Sequence, residues 1–314
     1  MKRKIYLLLF TLIIPFVICS TAVEENQIFL VENHQITSQV GGHYIQSTFK
    51  SKAKGEVNFV AYIPPGWSAE DTITNYPLLI YLYGQGGTEF SFYRVVRSEQ
   101  LNKWINDSLV QPFVAICVRG EEIEFGKTWD KQKIQWYTSS NEKLLTTEGE
   151  GELRAFCRKT LKAGMTSDQI ALEGQSRGAT GTLYYALKHP DKFSSFISNA
   201  YVSDYTLGSL KYNARKNKTK LKENGIKLRM EIGTKDWFVD HYHRKGTYIM
   251  HDYLNSLDIP HEFDTLSGGS HGFQYFWHLP KEGYENNGLF HLMFHDKAWT
   301  KASALRDSAS TIAP

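Results

Sequence analysis

The sequence predicts an α/β domain: a mostly parallel central sheet with helices on both faces and a β-hairpin at its N-terminal side. Three observations lead there. From residue 78 onward come six short apolar runs, too continuous to alternate and so suited to strands buried on both faces. Stretches with helical spacing separate them, and helical crossovers between strands imply parallel pairing. Ahead of the runs stand two alternating segments around a Lys54-Gly55 turn.

The elements follow in chain order. Met1-Lys2-Arg3-Lys4 is a short basic region, Ile5 to Ile18 is almost wholly apolar, and Ser20-Thr21-Ala22 supplies the small residues that a signal peptidase reads. Residues 1–22 therefore read as a secretory signal peptide, too short and wrongly flanked for a stable membrane span. Cys19 offers a second exit, as the lipidated first residue of a bacterial lipoprotein, although Ile18 stands where such sites carry Gly, Ala or Ser. Either route exports the protein, secreted or periplasmic, and only lipidation at Cys19 brings in a membrane.

The alternating segments 43–50 and 56–63 read as a hairpin with a half-exposed edge, closed by Pro64-Pro65-Gly66. The apolar runs are 78–83, 113–118, 170–173, 193–198, 227–232 and, more weakly, 261–266. The helical stretches between them are near 95–109, 150–162, 179–188 and 241–256. No long linker interrupts them, so 23–297 reads as one catalytic domain. Residues 203–225, rich in lysine and arginine (Lys211, Arg215, Lys216, Lys218, Lys220, Lys222), read as a charged, irregular surface excursion, or alternatively a cap over the site. Residues 298–314 are small, polar and patternless and read as a frayed tail.

Composition bounds the function only loosely. The 314 residues, 41% hydrophobic and 14% aromatic, can fill one sizeable core. A formal net charge of +3 argues for neither nucleic acid nor an anionic membrane as partner. Export permits a disulfide, but Cys117 lies in an apolar run and Cys157 in a helical pattern, so two buried free thiols are expected.

The chemistry is concentrated in Gly174-Gln175-Ser176-Arg177-Gly178, a G-x-S-x-G element between a predicted strand and a predicted helix. In an α/β-hydrolase this is the sharp turn that presents a serine nucleophile, with glycines because neighbouring strands and helix leave no room for side chains. A serine hydroxyl needs a base, and the base needs an orienting carboxylate; in this fold they follow in the order Ser, acid, His. His271, in the small-residue loop Ser267-Gly268-Gly269-Ser270-His271-Gly272 after the last strand, stands where the base belongs. Asp236, just past the strand that ends near Gly233, is the expected acid. Asp240 fits an N-cap of the next helix, and an exchange of the two roles is the alternative. The oxyanion hole needs two backbone N–H groups, one from Arg177 after the nucleophile and one from the loop Tyr83-Gly84-Gln85-Gly86-Gly87, whose glycines let the backbone approach closely. His241-x-His243 has no third ligand nearby, no C-x-x-C occurs, and Gly84–Gly87 lacks the Lys-Ser/Thr of a phosphate loop, so neither metal nor cofactor is expected.

From about Phe59 to Trp277 the chain resembles the esterase D-like branch of the α/β-hydrolases. That branch includes S-formylglutathione hydrolase, the feruloyl and acetylxylan esterases of carbohydrate esterase family 1, and mycolyltransferases. The landmarks are Ala61-Tyr62-Ile63-Pro64-Pro65-Gly66, Tyr76-Pro77-Leu78-Leu79-Ile80-Tyr81-Leu82, the G-x-S-x-G element running on to His189-Pro190-Asp191-Lys192-Phe193, Gly233-Thr234-Lys235-Asp236 and Gly269-Ser270-His271. The resemblance implies the same triad, Ser176, Asp236 and His271, with an oxyanion donor near Gln85. Tyr83 stands where the family usually has His, and Ala179 where it commonly has a second Gly.

A secreted serine carboxylic ester hydrolase follows, with an acetyl or feruloyl ester of a polysaccharide as the expected substrate. Export motivates that substrate, as do aromatic residues placed to meet sugar or feruloyl rings: Trp136, Trp237 and Phe273 are the candidates. The alternatives are a serine peptidase related to the prolyl oligopeptidases and a catalytically silent carbohydrate-binding homologue. The first usually carries an additional gating domain, for which residues 22–75 are too short, and the second fits poorly with an intact Ser, Asp and His.

Overall fold

A computed structural model describes residues 28–31, 41–120, 122–124, 132–202, 206–223, 225–242 and 245–310. The expected signal peptide and Cys19 lie outside the described residues. Among those described, no helix is long and apolar enough to cross a membrane.

The strands are β1 (Ile28–Leu30), β2 (His43–Ser51), β3 (Gly55–Ile63), β4 (Leu78–Leu82), β5 (Val114–Val118), β6 (Glu122–Glu124), β7 (Gln132–Ile134), β8 (Ile170–Gln175), β9 (Ser195–Asn199), β10 (Leu228–Gly233) and β11 (Glu262–Leu266). The short pair β6–β7 stands apart; the other nine form one sheet in the order β1-β2-β3-β5-β4-β8-β9-β10-β11. From β5 to β11 every pairing in that order is parallel. The apolar runs are the reason: β4, β5, β8, β9 and β10 are buried along their whole length, as strands covered on both faces must be. Because these strands run the same way, the loops leaving β4, β8, β10 and β11 emerge on one edge of the sheet, where open α/β folds bind ligands.

The helices are α1 (Ser91–Val95), α2 (Ser98–Asn106), α3 (Ser139–Thr146), α4 (Leu153–Phe156, continuing into one wide turn, Cys157–Leu161), α5 (Arg177–Lys188), α6 (Leu207–Lys216), α7 (Lys218–Glu223), α8 (Trp237–Tyr242), α9 (Gly246–Ser256), α10 (Phe273–His278) and α11 (Asn287–Ser310).

Three expectations change. The hairpin β2–β3 has the expected turn, Ser51 pairing Gly55, and β2 alternates between buried and partly exposed residues as expected, but it is not the edge of the sheet. β1 pairs the outer side of β2, and β3 also pairs β5, so Phe59 to Ile63 are all buried. The described part of 203–225 is not irregular: α6 and α7 bury Leu210, Ala214 and Leu221, and Asn217 Nδ2 donates to the Leu187 carbonyl at the end of α5 at 2.7 Å. A few apolar residues at helical spacing suffice to dock a helix whose other faces are charged. Nor does a tail begin at 298. α11 runs across that boundary, burying Ala298 and Trp299, whose ring lies 5.8 Å from Phe113. Its inward stripe of Leu292, His295 and Trp299 contains a polar residue, which hides it from a hydrophobicity pattern. Cys117 and Cys157 are buried free thiols, as expected, and burial pushes both up.

Candidate active site

Ser176 sits between β8 and α5 with φ 56° and ψ −111°, a backbone conformation that costs a non-glycine residue about 1–3 kcal/mol. Packing holds it there. Its N–H donates to the Asn199 carbonyl on β9 at 2.9 Å, and its own carbonyl accepts the Thr180 N–H at 3.0 Å. A Cβ at Gly178 would collide with the Leu82 carbonyl, and one at Gly174 with the Gly178 carbonyl. The two glycines are therefore the closeness of β4, β8 and α5 written into the sequence.

The loops after β10 and β11 are laced together. Thr234 N–H donates to Leu266 O at 2.9 Å, Lys235 N–H to Gly269 O at 2.8 Å, and Gly268 N–H to Thr234 Oγ1 at 2.9 Å. This lacing brings Asp236 Oδ2 to 2.7 Å from His271 Nδ1, and His271 Nε2 lies 2.9 Å from Ser176 Oγ. Asp236 is 1% exposed, and its other oxygen accepts the Phe238 N–H at 3.0 Å. A carboxylate on Nδ1 keeps the proton there and leaves Nε2 to accept from the serine hydroxyl. Asp240 lies inside α8 rather than at its start. Asp236 opens that helix, with Val239 N–H on its carbonyl at 3.0 Å, so capping falls to the residue that holds His271.

The loop after β4 lies against this turn: a Cβ on Gly84 would stand 3.0 Å from Ser176 Cβ. Gln85 follows, exposed, in a tight turn closed by Gly87 N–H on Gly84 O at 3.1 Å. Arg177 is the first residue of α5. Tyr83 is buried, and its hydroxyl accepts the Gly120 N–H at 2.9 Å.

Two of the three aromatic candidates are not at a substrate surface. Trp136 is fully buried, edge-on to Tyr83 at 5.1 Å, and its Nε1 donates to the Tyr83 carbonyl at 2.9 Å. It supports the Gly84–Gly87 loop from within. Phe273 is 6% exposed and packs on Tyr81 at 4.4 Å and Trp277 at 5.6 Å. An aromatic next to a site in sequence faces the core as readily as the cleft, and here the core wins. Trp237 differs: it is 43% exposed, stacked on Phe238 at 3.9 Å, with its ring 6.2 Å from that of His271. Cavities of about 660 Å³ beside Phe49 and Phe156 and about 430 Å³ beside Phe290 and Phe294 are lined by none of Ser176, Asp236 or His271; what marks the site is its hydrogen-bond geometry.

The model of the family described as "Putative esterase" matches residues 51–255, more than half of the chain, including Ser176 and Asp236. The chain belongs to this family. It is a serine esterase of the α/β-hydrolase fold. No curated protein matches it in sequence. The esterase is similar in structure to a ferulic acid esterase, at a TM-score of 0.63 and 14% identity over 81% of this chain and 97% of that one. An S-formylglutathione hydrolase from Agrobacterium tumefaciens gives 0.60 and 17% over 83% and 96%. The fluorophosphonate-binding serine hydrolase F of Staphylococcus aureus gives 0.55 and 14% over 80% and 97%. At such identities the likeness is one of fold.

Sequence reasoning passed over a second polar cluster in the esterase. Glu173 on β8, Glu231 on β10 and His291 and His295 on α11 are fully buried. His291 Nδ1 lies 3.0 Å from Glu173 Oε1 and its Nε2 2.9 Å from Glu231 Oε2. Burial alone would lower the His291 pKa, but the Glu231 and Glu173 carboxylates outweigh it and hold it up to about 9. Burial likewise works against the two carboxylates, yet His291 brings both down to about 2, helped at Glu231 by Arg229. A glutamate inside each of two buried strands was the available signal, since a carboxylate is rarely buried there without a partner.

Proposed function

We propose that the esterase is exported and hydrolyses acyl esters, acetyl or feruloyl, carried by a polysaccharide, through an acyl-enzyme on Ser176. The observation that carries the mechanism is the unbroken chain from Ser176 Oγ to His271 at 2.9 Å and from His271 to Asp236 at 2.7 Å, set on a strained turn. Ser176 Oγ attacks the ester carbonyl while His271 Nε2 takes its proton, and Asp236 fixes the tautomer and stabilises the resulting imidazolium. In this reading the backbone N–H groups of Arg177 and Gln85 donate to the oxyanion, a donation worth roughly 3 kcal/mol of barrier each. His271 then returns the proton to the leaving alcohol, and water admitted to the same position releases the acid. No cofactor enters this sequence.

For the substrate, the support is the exposed Trp237 beside His271, which offers a flat apolar face to a sugar or feruloyl ring. The structural neighbour titled a ferulic acid esterase points the same way. For export, the support is the basic, apolar and small-residue order of residues 1–22. A panel of p-nitrophenyl acetate, methyl ferulate, acetylated xylan and a prolyl peptide tests the reading. Turnover of the esters and release of acid from the polysaccharide are expected; cleavage of the peptide alone, or of nothing, overturns it. Mass spectrometry of the mature N-terminus should find Val23, whereas diacylglycerol on Cys19 would make the protein a lipoprotein.

A further inference from the structure

The buried cluster is bonded to β8, which leads to Ser176, to β10, which leads to Asp236, and through Asn287 to α10, which follows His271, and the ester chemistry above does not use it. A neutral imidazole has one N–H and can donate to one carboxylate, so bonds to both Glu173 and Glu231 call for the imidazolium; Asn287 Nδ2 also lies 2.9 Å from His291 Nε2, but its two N–H groups are taken by Glu231 Oε2 and the Phe276 carbonyl. Glu173 stands on β8, three residues before Ser176. Its Oε1 also accepts from Asn199 Nδ2 at 2.9 Å, and Asn199 is the residue whose carbonyl holds the Ser176 N–H at 2.9 Å. Glu231 stands on β10, the strand that leads to Asp236. Its Oε2 accepts from Asn287 Nδ2 at 3.0 Å, and that amide also donates at 2.8 Å to the Phe276 carbonyl in α10, the helix that follows His271.

We infer that His291, as a buried cation, is the positioning residue of the active site, clamping β8 to β10 and so setting Ser176 against the His271–Asp236 pair. The inference rests on the reading of Ser176 as nucleophile. The groups facing the clamp are few. Arg229 Nε lies 2.5 Å from Glu231 Oε1 and carries on to Glu262 and Asp264 on β11. From α11, His295 places Nε2 3.6 Å from Glu173 Oε2 while its Nδ1 bonds Ser195 Oγ at 2.8 Å. From β4, the buried Tyr81 adds a hydroxyl that burial, and after it the Glu173 charge, keeps protonated. Of these groups only His295 could set a second cation against Glu173, and burial pushes its pKa down, so the charge there falls to His291. With His291 neutral, the direct bridge through one imidazole from Glu173 to Glu231 is broken and β10 keeps, from α11, only the Asn287 amide on its carboxylate, so the nucleophile is freer to shift; misplacements of about 1 Å cost as much as 10² in rate.

The test measures kcat and KM for p-nitrophenyl acetate from pH 6 to pH 10.5 in the wild type, His291→Gln and the double variant Glu173→Gln/His291→Gln. Nitrogen-15 NMR of histidine-labelled wild type runs beside it. The wild type should show a doubly protonated His291 through about pH 8, in keeping with its raised pKa. His291→Gln should lose about tenfold or more in kcat with KM within about twofold, and lack the alkaline decline in kcat that the wild type shows as His291 deprotonates. The double variant, without an uncompensated carboxylate, should recover part of the loss and keeps the test alive if the single variant does not fold. A neutral His291 at pH 7, wild-type kcat in either variant, or the same alkaline decline in wild type and variants overturns the clamp. Ser176→Ala separates the two failures: if it is inactive while the His291 variants keep full kcat, only the clamp is lost, and if it is active the nucleophile itself is wrong.

Discussion

His271 and His291 are the same side chain in two settings of one sheet. Each has a carboxylate within 3.0 Å on one ring nitrogen. They differ in the second nitrogen and in access. His271 faces a serine hydroxyl at the sheet edge with 7% of its side chain exposed; His291 faces a second carboxylate and is sealed in the core. A hydroxyl can give up its proton and take it back, so the first imidazole is suited to cycling. Two carboxylates hold the proton well past neutral pH, so the second is suited to tying strands together. The partner on the far nitrogen decides the role, and that partner comes from a distant part of the chain.

The largest break in the comparison is on the cycling side. Ser176→Ala should lower kcat by about 10⁶ while the melting curve stays cooperative, and a fluorophosphonate probe should label the wild type and not the variant. Retention of a substantial share of turnover would remove Ser176 from its role. Asp236→Asn should cost roughly 10⁴ in kcat by favouring the wrong tautomer of His271. Asp240→Asn should stay close to wild type, and the reverse ranking would move the acid to Asp240.

The next effects are on stability, and they separate buried from exposed aromatics. Trp136→Ala should destabilise the fold by about 3–5 kcal/mol in urea denaturation, as removal of a fully buried ring does. Trp237→Ala should change stability by less than about 0.5 kcal/mol while raising KM for methyl ferulate. If instead the Trp136 variant proved as stable as the wild type with only KM altered, the tryptophan would belong to the cleft after all.

The smallest and broadest effect is on pH. His291 is held above its ordinary 6.5, so its contribution to stability is complete below about that pH and lost as pH rises through about 9. Glu173 and Glu231 are held down to about 2, so their contribution is complete above 4.5 and lost as pH falls toward 2. Burial lowers His295, which therefore adds stability above 6.5 and loses it as pH falls below. Urea midpoints should peak near neutrality and fall on both sides. In His291→Gln the alkaline fall should flatten; an unchanged alkaline slope would assign it to another group.

The sequence by itself determined the parallel sheet, because strands sealed on both faces must be continuously apolar, and it located the sharp turn at Ser176, because only glycines at 174 and 178 admit that turn between β8 and α5, packed against the end of β4. It also placed His271 and Asp236, since loops leaving parallel strands gather on one edge whatever their side chains. Local pattern could not say which way a side chain points once the chain folds. Trp136 and Trp237 are alike in composition and in closeness to the motifs, yet one supports a loop from inside and the other faces solvent beside His271. The helices within 203–225 and the run of α11 past 298 were hidden because their inward stripes are sparse or contain histidine. The cluster of Glu173, Glu231 and His291 was decided only in three dimensions. A lone buried charge is prohibitively costly, and its partners come from strands and a helix far apart in the chain, brought into contact only when the sheet is assembled.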